Sequence, residues 1–259
     1  MRAYAKIATA VADGVMTITL NVPERRNAIG PQMTNELLWA LDDARADGDV
    51  RVIVITGAGK AFCAGGDFQQ MTSGADAEAL PHKGDYADLL LALTRFEKPV
   101  IAKVNGHAMG GGLGIVAAST FAVASHEAQL GTPEIQVGLF PMMIMAVLAR
   151  LIPRRRLTQM MLLGEKLNAD EAARIGLVNE AVAHADLDAR VQVLAKALLD
   201  KSPSTMRLGL RAFAAQDDMD LEAALPMLRD KLGECLATDD AREGLMAFLE
   251  KRAPKWSGR

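Results

Sequence analysis

The amino-acid sequence predicts an α/β protein in which short buried strands alternate with helices. Three observations carry that expectation. Val52-Ile53-Val54-Ile55-Thr56 and Val100-Ile101-Ala102-Lys103-Val104 are brief β-branched runs leading into glycine, the pattern of buried strands. Between them, the residues from Pro31 onward set Met33, Leu37, Ala40, Leu41 and Ala44 on one face of a helix, with proline at the position a first turn accepts. Near Pro153 the alternation gives way to an almost wholly helical pattern. The organisation expected is an α/β core over residues 1–190 and a C-terminal helical region over 191–259.

The remaining elements follow in order. Val15-Met16-Thr17-Ile18-Thr19-Leu20 alternates apolar and polar residues as a folded strand does, and residues 85–96 form a helix that must stop before Lys98-Pro99. The small, polar stretch 74–84 reads as a mobile loop. Phe121-Ala122-Val123-Ala124 and the residues around Leu130 read as short strands. Asn168 with Glu171 makes a capping box, Gly176 closes that helix, Ser202-Pro203 opens another, and residues 221–252 continue the helical pattern.

Composition narrows the function classes. No apolar run reaches the roughly 18 residues of a membrane span. The N-terminus lacks the features of a secretory signal, so a cytoplasmic location is expected. Cys63 and Cys235, with four histidines, supply neither a disulfide framework nor a metal cluster. A net charge of −3 and 4% aromatic residues leave no basic field or stacking platform, so neither nucleic acid nor a membrane is an expected partner.

Two glycine-rich stretches and one glutamate could carry chemistry. Asn105-Gly106-His107-Ala108-Met109-Gly110-Gly111-Gly112-Leu113-Gly114 follows a strand and leads into a helix, aiming bare backbone N–H groups at a fixed anion or at a charge that develops during reaction. Ala64-Gly65-Gly66-Asp67 ends another strand. If the two converge, a pair of N–H groups would hold one carbonyl oxygen; taken singly, each is as readily a tight turn. Neither has the spacing of a nucleotide loop. Glu134, in Thr132-Pro133-Glu134, is either a desolvated acid suited to moving protons or a solvated acid at a helix start. His107 flanks the glycines, but no nucleophilic triad is legible around it.

These motifs, in this order and spacing, resemble the crotonase family of enoyl-CoA hydratases and isomerases. The resemblance extends over nearly the whole chain and includes segments 23–28, 57–67, 169–178 and 238–251. It implies a spiral of β-β-α repeats with C-terminal helices that form a homotrimer or a dimer of trimers. It also implies an acyl-CoA thioester as substrate, with CoA as part of that substrate and no separate cofactor. By position, Gly66 and Gly111 would form the oxyanion hole and Glu134 would be the acid/base. Ala64, Asp67 and Phe68 would line the adenine and pantetheine path, Arg25 or Arg26 would approach the CoA phosphates, and Phe248 and Lys251 would reach the CoA of a neighbouring subunit.

One departure bears on the reaction. Hydratases of the family hold water with two glutamates, and the first of these falls on Gly114 here. Single-glutamate chemistry favours isomerisation of 3-enoyl-CoA to 2-enoyl-CoA, while hydration stays open if another side chain helps Glu134 hold a water. Thioester hydrolysis is a further alternative, although the family's hydrolases carry an acid where this chain has Met142. Binding without catalysis is the last. On this reading Gly114→Glu would raise hydration provided the helix tolerates it, and Met142, Met143 and Met145 would shape an acyl pocket.

Overall fold

The computed structural model describes residues 2–67, 70 and 80–259. Among the described residues, ten strands form two sheets. β1 (Ile7–Ala12), β2 (Val15–Leu20), β3 (Val52–Gly57), β5 (Val100–Val104), β7 (Phe121–Ser125) and β10 (Glu180–Val182) lie side by side in that order in the larger sheet. The smaller sheet runs β4 (Ala61–Cys63), β6 (His107–Met109), β8 (Gln129–Gly131) and β9 (Lys166–Asn168). From β3 to β8, each pass of the chain thus leaves one strand in each sheet. Parallel pairing of Ile53 with Val100 and Ile101 with Phe121 in one sheet, and of Ala61 with His107 and Ala108 with Leu130 in the other, stacks the passes as a spiral.

Local sequence explains the principal helices. α1 (Pro31–Ala46) starts with proline at its first turn and buries the predicted Met33, Leu37, Ala40, Leu41 and Ala44. It buries Glu36 as well, whose carboxylate accepts the N–H groups of Ala5, Lys6 and Ile7 and so holds the segment entering β1. α2 (Tyr86–Thr94) is capped reciprocally by Asp85 and Asp88. α3 (Gly111–Ala118) packs into the spiral with almost every side chain buried.

Past residue 130 the chain is less exclusively helical than expected. β9 and β10 are three residues each, too short to show alternation, and pair antiparallel with β8 and parallel with β7. Between them and the preceding strands lie α4 (Met142–Leu148), α5 (Arg154–Leu163) and α6 (Ala169–Arg174), the last bearing the Asn168–Glu171 capping box and Gly176 at φ +81°. α7 (Leu187–Leu199) contains residue 190, where the core was expected to end, yet Val191 and Ala195 pack with Val52, Val54, Ile101 and Val123. That layer covers the outer face of β3, β5 and β7, which is why those strands are largely apolar on both faces.

α8 (Pro203–Gln216), α9 (Leu221–Leu236) and α10 (Asp239–Glu250) complete the chain and leave Phe213, Leu221, Leu225, Leu232, Leu236 and Leu249 exposed. Asp240 fastens the C-terminal residues: it is buried and accepts the hydroxyls of Ser202 and Ser204 and the N–H groups of Ser257 and Gly258. Burial alone would raise its pKa, but these donors outweigh burial and hold it at about 2. No helix among the described residues is long and apolar enough to cross a membrane.

Candidate active site

The first glycine loop is set by Asn27. It adopts φ +56° and is fully buried; its side chain accepts the Val22 N–H and donates to the carbonyls of Ala58 and Ala61. The chain then lies beside the end of β4: Ile29 N–H donates to Gly65 O at 2.8 Å, and Asp67 N–H to Ile29 O at 2.9 Å. Since extended residues alternate in direction, the Gly66 N–H between those two bonds points away from Ile29. Gly66 faces a cavity of about 410 Å³.

The second loop reaches the same cavity from β6. Gly110, at φ +48° and ψ −120°, donates to Gly131 O and turns the chain into α3. Gly111 is the first residue of that helix, so its N–H has no intrahelical acceptor, and it too lines the cavity. A Cβ on Gly65 would stand 3.3 Å from Met109 O and 3.9 Å from Gly110 Cα. The two glycine stretches therefore converge, as the paired-donor reading requires.

Glu134 closes the triangle. Thr132-Pro133 starts a 3-10 turn, Pro133–Val137, that carries the carboxylate so close to Gly110 that a Cβ there would lie 2.8 Å from Glu134 Oε1. Glu134 Oε2 is buried and has no hydrogen-bond partner among the described residues. Burial raises the carboxyl pKa, with partial opposition from its own backbone N–H. It is the desolvated acid of the two sequence readings. The opposite wall is apolar, formed by Ile29, Phe140, Met142, Met143 and Ile144; Met145 is not part of it.

Sequence reasoning missed Tyr86. A Cβ on Gly114 would overlap Tyr86 Oη and lie 2.6 Å from Ile144 Cγ2, so the place of the absent acid is filled by a phenol from α2. Tyr86 lines the cavity and donates to Gly111 O at 2.5 Å. Burial, followed by the proximity of Cys63 and Glu134, pushes its pKa well above that of an ordinary phenol. A side chain at position 114, as in Gly114→Glu, therefore fits only if Tyr86 and Ile144 give way. A tyrosine at a helix start carries no motif, and only the tertiary fold brings it to Gly114.

The other expected residues are placed around, not within, this cavity. Arg25 pairs with buried Asp67 at 2.8 Å, and Asp67 also accepts the Gln70 N–H. Ala64 donates its N–H to Arg26 O, while the Arg26 side chain is exposed. Phe68 lies outside the described residues, as does 74–79 of the predicted mobile loop. Its remainder is held to α1: Asn35 and Trp39 both donate to Pro81 O, and Lys83 N–H donates to Asn35 Oδ1. Phe248, on α10, is 81% exposed, and Lys251 caps that helix at φ +54°; neither lines the cavity of its own chain. His107 has a structural task, its Nδ1 accepting the Gln129 N–H.

The two-sheet spiral thus brings two glycine loops and one half-buried carboxylate to a single cavity. The family model for enoyl-CoA hydratase/isomerase matches residues 10–259, and the chain belongs to that family, with the crotonase fold. It is 34% identical to the (E)-benzylidenesuccinyl-CoA hydratase of Thauera aromatica, over 96% of this chain and 97% of that one. It is 32% identical to the short-chain-enoyl-CoA hydratase of Clostridium acetobutylicum, over 92% of each. The enoyl-CoA hydratase crystal structure from Mycobacterium smegmatis superimposes with a TM-score of 0.91 at 33% identity, covering 97% of this chain and 99% of that one.

Proposed function

We propose that this enzyme isomerises a 3-enoyl-CoA thioester to the conjugated 2-enoyl-CoA. The observation that carries the reading is the buried, unpartnered Oε2 of Glu134 beside the convergent glycine loops. Glu134 takes a proton from C2, and the C2–H electron pair moves into the thioester as a dienolate. The N–H groups of Gly66 and Gly111 stabilise the charge on the thioester oxygen. Protonated Glu134 then delivers the proton to C4, leaving a C2=C3 double bond and the carboxylate restored. No water is consumed. The raised pKa of Glu134 suits both halves of this cycle, since the group must accept a proton and release it again.

The CoA moiety lies outside the 410 Å³ cavity in this reading, with Arg25 or Arg26 towards its phosphates and Ala64, Asp67 and Phe68 along its path. Phe248 and Lys251 serve a neighbouring protomer's CoA. The exposed apolar side chains of α8–α10 support assembly as a homotrimer or a dimer of trimers, because a large exposed apolar face favours burial against another chain.

Hydration of a 2-enoyl-CoA is the second reading, favoured by the names of the Thauera and Clostridium relatives. Separate incubation with 2-enoyl-CoA and 3-enoyl-CoA in deuterated water, with products identified by mass, tests both. Conversion of the 3-enoyl to the 2-enoyl ester without added oxygen is expected. A hydroxyacyl product or free CoA from either ester, or 3-enoyl-CoA left unchanged, would each contradict the isomerase reading.

A further inference from the structure

Tyr86 is a second polar group on the cavity wall, and its hydroxyl is directed onto the backbone of α3. Its proton is donated to the Gly111 carbonyl, in the residue that also presents an N–H to the cavity. The phenol stands beside Ile29 and Ile144: a Cβ on Gly111 would lie 2.9 Å from Ile29 Cγ2 and 3.5 Å from Tyr86 Cζ, and one on Gly114 would meet Tyr86 Oη and Ile144. The volume next to Gly114 is thus occupied by an aromatic ring among aliphatic side chains. A buried water needs two to four polar partners, and this corner is poor in them.

We propose that Tyr86 is a positioning and specificity residue that anchors the first turn of α3 and fills the space opposite Glu134 from which a second acid or an attacking water would act. The inference rests on the isomerase reading. It explains why one carboxylate serves the site: the group in the place of the absent first acid is a bulky phenol whose proton is already committed to the main chain.

The test uses Tyr86→Phe and the double variant Tyr86→Ala/Gly114→Glu beside the wild type, on both enoyl-CoA esters, with thermal melting and acyl-CoA binding as controls. Tyr86→Phe keeps the ring and removes the anchor. Its isomerisation kcat is expected to fall about tenfold, the scale of one lost buried hydrogen bond, with KM changed less than about twofold and the melt lowered by only a few degrees, about 2–4 °C per kcal/mol. The double variant opens space for a carboxylate, and its hydration of 2-enoyl-CoA is expected to exceed the wild-type rate by about tenfold or more; Gly114→Glu alone gives no such gain.

A wild type that isomerises, with Tyr86→Phe retaining full kcat, overturns the role of Tyr86 and leaves the isomerase reading standing. A folded, binding double variant that hydrates no faster than wild type does the same. If the double variant fails to fold, the kcat of Tyr86→Phe decides. A wild type that hydrates 2-enoyl-CoA and does not isomerise 3-enoyl-CoA overturns the reading and the water-excluding role together.

Discussion

Gly110→Ala separates the geometry of Glu134 from the stability of the fold. The added Cβ would stand 2.8 Å from Glu134 Oε1 and 3.4 Å from its Cδ. To restore an ordinary contact of about 3.4 Å to the oxygen, the carboxylate must retreat by roughly 0.6 Å. A misplacement near 1 Å in a reacting group costs about 10²-fold, so kcat is expected to fall by about 10–100-fold. The backbone at φ +48°, ψ −120° is also unfavourable for alanine, at about 1–3 kcal/mol of stability. Gly176→Ala supplies the control: it has φ +81°, and its Cβ would meet only Leu151 O, at 3.8 Å. That variant should lose about 1–2 kcal/mol in urea unfolding with kcat unchanged. Steady-state kinetics and unfolding curves on both variants make the comparison. Full activity in folded Gly110→Ala would refute the claim that Glu134 works from its position against that glycine.

Two titrations carry further predictions. Glu134 must be ionised to take a proton, and burial raises its pKa, so kcat/KM should fall on acidification with a midpoint above the ordinary glutamate value of 4.5. The same burial makes the folded protein bind this proton more tightly than the unfolded chain does, so the cost of ionisation appears as pH rises through the folded pKa. The melting temperature of Glu134→Gln relative to wild type should therefore climb between pH 4 and pH 8; a flat or falling difference would count against desolvation. Asp240 has the opposite sign. Its pKa of about 2 lies below 3.8, so its stabilisation is present above the unfolded value and lost as pH falls through about 2. Asp240→Asn should cost about 1–3 kcal/mol at pH 7, with the difference from wild type shrinking towards pH 2 in denaturant titrations.

The parts of the fold that could be read from sequence were those set locally. Pro31 at a helix start, the Asn168–Glu171 box and the β-branched runs at 52–57 and 100–104 each declare their conformation within a few residues. β9 and β10 do not, because a three-residue strand exists only through the neighbour it pairs with. The site divides along the same line. Glycines that admit a close approach, and a glutamate after Thr132-Pro133, recur as a pattern, so Gly66, Gly111 and Glu134 could be named from sequence, and they line one cavity. The partnership of Arg25 with Asp67, the two bonds that Asn27 donates to Ala58 and Ala61, and the bond of Tyr86 to Gly111 join residues 25 to 42 positions apart without any local mark. The absence of a carboxylate at 114 was visible in the sequence; its physical counterpart, a phenol in the same space, was not.

The central claim is that one carboxylate, Glu134, moves the proton while the backbone of two glycine loops holds the charge. Single-turnover isomerisation of 3-enoyl-CoA by Glu134→Gln, with acyl-CoA affinity measured on the same preparation, tests it most directly. The expected result is a loss of about 10²-fold or more in the chemical step with affinity retained within a few-fold. Isomerisation by the folded variant at the wild-type rate would contradict the account.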